Sequence, residues 1–432
     1  MKDSVNIGLL GLGTVGTGVV NVLTANAHEI SQKTGVPVNI KKILVRNLNK
    51  VRNIAAGAVL TTNADDILND NDIDIIVEVM GGEQPAKDYM LRALNAGKNV
   101  VTANKDVVAK FGRELFSAAE ANHVDFMFEA SVGGGIPIIR PLKQCLAANK
   151  LSEVMGIVNG TTNYMLTKMT NEKLDYETVL AEAQAKGYAE ADPTADVGGF
   201  DAARKIAILA SIAFNARVSL EDVDVEGITN ISPVDIEYAR ELGYVIKLLA
   251  IAKESEACGI NARVHPAFIP LNHPLAAVGD VFNAIFVRGD AVGETMFYGR
   301  GAGALPTASA VAGDIVDVAR NLRHNVNGRI LCTCFDQKPF CPVENTSSSY
   351  YVRLLVEDQP GVLAAIAGAF GAHNVSLNSV IQKRKVNNCA ELVLITYHVS
   401  DANIRKALTT IKDMSVLTTV QNVIRVEAQQ ID

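Results

Sequence analysis

The chain has 432 residues, 48% of them hydrophobic and 20% charged, with a net charge of -7. One hydrophobic core stops growing near about 250–300 residues, so two or three domains are expected and wholesale disorder is excluded. The acidic balance, without any Lys/Arg-rich run, argues against a nucleic-acid partner. The opening apolar run Val5–Leu10 is too short for a signal peptide or a membrane span. Six cysteines scattered through so long a chain imply no disulfide framework. A cytoplasmic protein with no membrane partner is expected.

In chain order, Asn6–Leu10, Val38–Val45, Ile73–Val79, Asn99–Thr102 and Val124–Glu129 are short apolar runs separated by amphipathic stretches such as Gln84–Ala96 and Asp106–Ala121. Strands spaced by helices predict βαβ units on a parallel sheet over residues 1–136. Residues 137–325 mix expected helices (Ile138–Ala148, Tyr176–Ala185, Phe200–Ala213, Val234–Leu242) with expected strands (Val154–Val158, Val245–Ala252, Arg263–Ile269), an α+β pattern. A helix at Ala308–Asn321 is expected to return to the first domain. Residues 326–349, rich in Asn, Gly, Pro, Cys and Ser, read as a linker. The last 83 residues, 350–432, open with a strand at Tyr351–Val356 and a helix at Val362–Ala372. Strands near Ser376–Lys383 and Ala390–Tyr397 follow.

Gly11-Leu12-Gly13-Thr14-Val15-Gly16 is a G-x-G-x-x-G set directly after a strand and before a helix. The first glycine permits the tight turn, the second the approach of a pyrophosphate, and the third close helix–strand packing. The helix N-terminus then offers free N–H groups to the phosphates. The second strand ends at Arg46 with Lys50 and Arg52 nearby, where an NAD-specific site would place Asp or Glu. A guanidinium suits a 2′-phosphate, so NADP is the preferred cofactor, with NAD as the alternative; a solvated surface charge is the plainer reading of Arg46.

Lys105 lies at the carboxyl end of a strand of the expected parallel sheet, where such sheets bind ligands. Lys205 opens an apolar helix four residues after Asp201, and the preceding loop gathers Glu190, Asp192 and Asp196. Such a loop could grip an amino group beside a proton-donating lysine or ligate a divalent metal, while Asp201 and Lys205 could be no more than a surface i,i+4 ion pair. The turn from Glu129 to Pro137 contains Gly133, Gly134 and Gly135 and reads equally as a cation-binding bend or an interdomain hinge. Cys332, Cys334, Cys341 and His324 match no zinc spacing.

Seven ordered motifs make the chain resemble the homoserine dehydrogenase family across residues 1 to about 325. They are Gly8–Gly16, Val101–Lys105, Glu129–Pro137, Gly156–Asn163, Gly187–Pro193, Asp201–Lys205, and Glu294–Gly299 with Gly301–Gly303. The resemblance implies reversible NAD(P)H-dependent reduction of L-aspartate 4-semialdehyde to L-homoserine, in the threonine, methionine and isoleucine branch of aspartate-family biosynthesis. It implies Lys205 and Lys105 as the catalytic pair, with Lys205 favoured as proton donor. Glu190 and Asp201, with Lys105, would hold the substrate. Gly11, Gly13, Thr14, Val15, Gly16, Arg46, Thr102, Lys105, Gly187 and Gly303 would line the nucleotide site. Glu129, Val132, Gly134 and Ile136 would ligate sodium, mostly through carbonyls.

The tail resembles an ACT domain, a βαββαβ module, on the stretch Val352–Leu363 and on Gly371–Leu377. The resemblance implies an amino-acid ligand near Asp358, Gly361, Asn374 and Ser376, with threonine as the expected inhibitor. The whole predicts a monofunctional α/β enzyme: a Rossmann domain, an α+β substrate and dimerisation domain and an ACT domain, assembled as a homodimer or homotetramer. The competing reading is a catalytically silent amino-acid sensor that keeps the dehydrogenase fold.

Overall fold

The computed structural model of the chain describes residues 2–50 and 54–427. It divides into two compact units. The first holds residues up to Val154 with Arg204–Asp222 and Phe282–Gln337; the second holds Met155–Ala203, Val223–Val281 and residues from Lys338 onward. Among the described residues no helix is long and apolar enough to cross a membrane.

The described residues of the first unit form a six-stranded sheet of β1 (Val5–Leu10), β2 (Val38–Leu44), β3 (Val59–Thr61), β4 (Ile75–Glu78), β5 (Asn99–Thr102) and β6 (Phe126–Met127). Their order is β3-β2-β1-β4-β5-β6 and every pairing is parallel. This is the doubly wound Rossmann order, whose chain reversal lies between β1 and β4. The middle strands β4 and β5 are buried at every residue, as a sheet covered on both faces requires. The helix Ala304–His324 comes back to pack on the helix Thr14–Ala25. The two approach so closely that a Cβ on Gly18 would sit 2.4 Å from the Ala304 carbonyl oxygen. Val311, Ile315 and Val318 of the returning helix join Ile7, Leu9 and Val19 in one core.

Two features of this unit differ from the sequence reading. The expected helix Ile138–Ala148 is realised as helical residues Ile139 and Arg140 followed by a π-turn at Pro141–Cys145. Pro141 has no N–H to give, and Leu146 N–H reaches back five residues to the Pro141 carbonyl at 2.8 Å. An antiparallel hairpin, Phe282–Gly289 with Gly293–Arg300, occupies a stretch to which no strand was assigned.

In the second unit the antiparallel pair Tyr244–Ser255 and Gly259–Pro270 continues through a short parallel contact into Leu417–Val426. Ser347–Glu357, Cys389–Thr396 and Leu377–Val386 then follow side by side, all antiparallel. Helices Val362–Ala372 and Asp401–Lys412 bury Ile366, Phe370, Ile404 and Ile411 with Leu354 and Leu394 of those strands, giving the expected βαββαβ module. Its first strand begins at Ser347, inside the stretch read as linker.

A polar cluster is buried within this unit. Asp235, on the helix Pro233–Glu241, accepts from Arg353 Nε at 2.8 Å, Tyr351 OH at 3.0 Å and Asn422 Nδ2 at 2.9 Å. Arg353 also reaches Glu391 at 3.3 Å, whose other oxygen accepts from Tyr238 OH at 2.8 Å. Breaking such a buried pair from one side costs about 3–5 kcal/mol, because the other charge is left unpaired.

The cysteine expectation needs one correction. Cys258 and Cys341 form a disulfide, 83 residues apart in sequence. The partners are brought together by backbone bonds that no spacing rule shows: Ile260 N–H donates to the Pro339 carbonyl and Cys341 N–H to the Ile260 carbonyl. Cys341, one of the cysteines whose spacing matched no zinc site, is held in this bond.

Candidate active site

The nucleotide cleft lies at the chain reversal of the first unit. Gly11 sits at φ +103°, a conformation that side chains rarely adopt, and a Cβ there would also crowd Val79 and Met80. A Cβ on Gly16 would lie 2.2 Å from the Gly11 carbonyl oxygen, whereas one on Gly13 would meet nothing within 4 Å. The three glycines therefore do different things: one turns the chain, one seats the helix against it, and one leaves open space. Gly13 caps the Thr14–Ala25 helix with no side chain of its own, so the first-turn N–H groups from Thr14, Val15 and Gly16 have no partner within the helix.

A cavity of about 660 Å³ opens here, lined by Gly11, Gly13, Arg46, Lys50, Gly81 and Tyr89 among others. Among the described residues that line it, Arg46 and Lys50 are cations and none is a carboxylate. Arg52 lies outside the described residues.

Beneath the cleft sits a residue the sequence reading passed over. Glu78 is fully buried at the end of β4. It accepts from Thr102 Oγ1 at 2.6 Å and from the N–H groups of Met80 at 2.8 Å and Gly81 at 3.3 Å. Burial raises its carboxyl above the usual range against the pull of these donors, Thr102 first among them. Thr102, expected at the nucleotide, is itself buried; its hydroxyl also accepts the Asn104 N–H at 3.0 Å. Gly303 caps the returning Ala304–His324 helix at φ +122°.

Lys105 is the first residue of the helix Lys105–Ala121, which Asn104 caps by accepting Val107 N–H at 3.2 Å. The positive end of a helix disfavours an ammonium by about 0.3–1 kcal/mol, so helix stability does not account for a lysine there. Lys205 lies in the first turns of the helix Phe200–Ala213. The starts of the two helices are joined by Arg204 Nε and Asp106 Oδ1 at 2.9 Å. Both lysines are half-buried.

The turn after β6 is tightly bonded. Buried Glu129 accepts from the N–H groups of Ile138 at 2.6 Å, Ile139 at 2.8 Å and Arg140 at 2.8 Å, so its carboxylate is fully engaged. Its own N–H donates to Asp314 at 2.9 Å. Burial pushes the Asp314 carboxyl up to about 8, with Arg140 opposing. Gly134 lies against the Gly301 carbonyl, where a Cβ would come within 2.3 Å, and Ile136 N–H donates to the Gly133 carbonyl. Any cation held by Glu129, Val132, Gly134 and Ile136 would have to use backbone carbonyls.

In the second unit the acid-rich loop resolves into distinct tasks. Asn159 caps the helix Gly160–Glu172, accepting Thr162 N–H at 2.9 Å. Its amide donates to Asp196 at 2.7 Å and to buried Asp201 at 2.8 Å. Asp192 accepts the N–H and hydroxyl of Thr194, its carboxyl lowered chiefly by the hydroxyl. Glu190 is exposed, and its carbonyl accepts from Gln184. Thr161 fastens the loop through the Tyr188 carbonyl at 2.7 Å, just after Gly187 at φ +73°. Among the described residues no three acids, cysteines or histidines converge as metal ligands. Asn159 was inside a matched motif, but only the structure shows it gripping both aspartates.

In the ACT module Gly361 caps Val362–Ala372 at φ +90° with open space where a Cβ would be. Asp358 pairs with Lys385, Asn374 takes φ +57°, and the Ser376 carbonyl accepts Tyr397 N–H.

A Rossmann sheet with this glycine set defines a dinucleotide-binding protein, here followed in sequence by an ACT module. Family models agree: the homoserine dehydrogenase NAD-binding domain matches residues 11–129, homoserine dehydrogenase 137–316 and the ACT domain 350–415. The chain is 44% identical over 427 residues to the homoserine dehydrogenase of Bacillus subtilis, with 98% of each covered. It is 46% identical over 434 residues to that of Synechocystis, covering 98% of this chain and 99% of the other. The crystal structure of a homoserine dehydrogenase from Thiobacillus denitrificans superposes with a TM-score of 0.94 at 42% identity, covering 98% of both. A hyperthermophilic archaeal homoserine dehydrogenase in complex with NADPH superposes at 0.63 and 27% identity over 73% of this chain and 97% of the other. The chain belongs to the homoserine dehydrogenase family.

Proposed function

We propose that the chain interconverts L-homoserine and L-aspartate 4-semialdehyde with NADP as the preferred nicotinamide. The observation that carries the reading is the Arg204–Asp106 pair, which joins the helix starts bearing Lys205 and Lys105 in the unit that holds the nucleotide cleft. The bound nicotinamide supplies or accepts the hydride. In the reducing direction negative charge grows on the aldehyde oxygen, and the Lys205 ammonium donates its proton there. Lys105 stabilises the same charge. The carboxylates of Glu190 and Asp201 hold the substrate ammonium, with Asn159 fixing the rotamer of Asp201. Arg46 and Lys50, at the end of β2, favour a 2′-phosphate over a bare ribose. Gly187 and Gly303 complete the nucleotide contacts.

Sodium would be held by the carbonyls of Glu129, Val132, Gly134 and Ile136. It would brace the turn between β6 and the Pro141 π-turn. Threonine is the ligand we assign to the ACT module at Asp358, Gly361, Asn374 and Ser376. The working unit is a homodimer or homotetramer in the cytoplasm, serving threonine, methionine and isoleucine synthesis.

The test is spectroscopic. Reduced-nicotinamide absorbance is followed with L-homoserine and NADP or NAD, in wild type, in Lys205→Ala and in wild type with added threonine. Homoserine-dependent reduction that falls by about 10²–10⁴ in Lys205→Ala supports the assignment. No reduction with either nucleotide would leave a sensor in its place.

A further inference from the structure

Four cysteines are free of the disulfide: Cys145, Cys332, Cys334 and Cys389. Two of them, separated by one residue, lie in the stretch read as linker, whose part up to Gln337 belongs to the first unit. Cys332, Thr333 and Cys334 line a small hollow of about 20 Å³ together with Phe116, Ser211 and Arg217. Val108 and Ala109 of the helix Lys105–Ala121, and Ile208 and Ile212 of the helix Phe200–Ala213, form its walls. The space admits a molecule of about the size of water or hydrogen peroxide.

The sulfur of Cys332 is surrounded by donors. Arg217 Nη2 lies 3.4 Å away. Cys334, just beyond Thr333, brings its thiol and its N–H beside it. Lys143, over the rings of Phe116 and Phe128 at 4.6 and 5.2 Å, adds a further positive charge nearby. Its Nζ donates to the Leu331 carbonyl at 3.1 Å. Hydrogen bonding from Cys334, then Arg217 and Lys143, hold the Cys332 thiol well below its ordinary range, while the same bond and burial raise Cys334. Cys334 Sγ also lies 3.6 Å from the Ser211 carbonyl. One sulfur is thus set up as thiolate and its neighbour as thiol, both half-buried beside an apolar hollow.

We propose that Cys332 and Cys334 form a peroxide-reactive dithiol, with Cys332 the attacking sulfur, Cys334 the resolving one and Arg217 the residue that holds the thiolate. In the first step the Cys332 thiolate attacks one oxygen of hydrogen peroxide. An S–O bond forms and the O–O bond breaks; the sulfur loses two electrons, and the departing hydroxide takes the Cys334 thiol proton to become water. In the second step the Cys334 thiolate attacks the Cys332 sulfur. The S–S bond forms and the S–O bond breaks, releasing hydroxide. Counted from two thiols, one peroxide gives one disulfide and two waters. Oxidation removes the negative charge that faces Arg217 and Lys143, in a groove whose walls are the helices bearing Lys105 and Lys205.

The experiment uses the full chain, reduced, freed of reductant, and treated with hydrogen peroxide at neutral pH. Peptide mass spectrometry follows the loss of two hydrogens linking Cys332 to Cys334 and, in the same samples, oxidation of exposed Cys145. The expected result is that the 332–334 disulfide forms about tenfold or more faster than Cys145 oxidises. Cys334→Ser should stop at a sulfenic acid on Cys332 that dimedone traps. Arg217→Ala should slow the reaction toward the Cys145 rate, with Arg217→Lys falling between. Oxidation of Cys332 no faster than that of Cys145, or a rate indifferent to Arg217 in a variant that keeps the wild-type melting temperature, would overturn the proposal.

Discussion

Arg204 and Asp106 meet at 2.9 Å, so the residue before Lys205 is tied to the residue after Lys105. Both side chains are about one-third exposed, at 30% and 35%. An ion pair in that setting adds no more than about 1 kcal/mol to stability. Its value is in position: misplacing a reacting group by a fraction of an ångström slows chemistry more than it loosens a fold. Asp106→Ala and Arg204→Ala are each expected to leave Tm near wild type while lowering kcat about tenfold. The double variant should lose no more than either single one. Losses of kcat that add in the double variant would show the two residues acting separately.

Arg46 should set nucleotide choice. Replacing it by Ala is expected to raise KM for NADP about 10- to 100-fold and to leave KM for NAD nearly unchanged, because only NADP has a phosphate for the guanidinium to grip. Steady-state kinetics with both nucleotides decides it. An equal effect on both would assign Arg46 to the surface instead.

The glycines of the turn make a contrast that one pair of variants can read. A Cβ at position 13 meets nothing within 4 Å, whereas at position 16 it lies 2.2 Å from a backbone oxygen. Gly13→Ala should keep its Tm and bind NADP about tenfold more weakly, since its methyl projects into space left for a ligand. Gly16→Ala should lose Tm, because helix and turn must separate. Calorimetry of folding and of nucleotide binding checks both. A Gly13→Ala protein with unchanged binding would place the dinucleotide elsewhere.

His265 predicts how stability responds to acid. It is fully buried, with Nδ1 3.0 Å from the Pro266 carbonyl, and burial, with Arg425 and Arg263 adding to it, lowers its pKa to about 3. The unfolded chain takes up this proton near pH about 6.5, and the folded chain does not until about pH 3. Between those values the unfolded state binds the extra proton, so stability falls as pH falls, by up to about 1.4 kcal/mol per pH unit. The loss should begin below pH about 6.5 and be shallower in His265→Gln, which cannot titrate. Denaturant midpoints measured from pH 7 to 5 test the difference. Parallel slopes would mean that His265 does not carry the effect.

Much of this was legible before any coordinates. The glycine set and the apolar strand runs rest on local rules of two to six residues, and the structure meets them at β1, β2 and the Thr14–Ala25 helix. The matched motifs carried Lys105, Lys205, Glu190 and Asp201 without requiring knowledge of their contacts. Pairings across long sequence intervals were hidden. Glu78 looks like one more residue at a strand end until Thr102 and the turn amides close on it. Asn159 lies 42 residues from the aspartate it holds. The Cys258–Cys341 bond spans 83 residues. Pro141, tolerated in the first turn of its helix, gave no sign that the helix would run as a π-turn.

The contact between Gly259–Pro270 and Leu417–Val426 has a practical meaning for anyone cutting the gene. Ala267 pairs with Arg425 and Phe268 with Val426, so the tail is hydrogen-bonded along the flank of a strand that is buried almost throughout. Expression of residues 1–346 alone would strip that flank of its cover, leave bare amides and carbonyls beside Phe268 and Ile269, and maroon the Asp235 carboxylate without Arg353. Such a fragment is a candidate for inclusion bodies. Removing the ACT module would therefore need surface redesign, whereas point changes at the Gly361 turn leave the sheet whole.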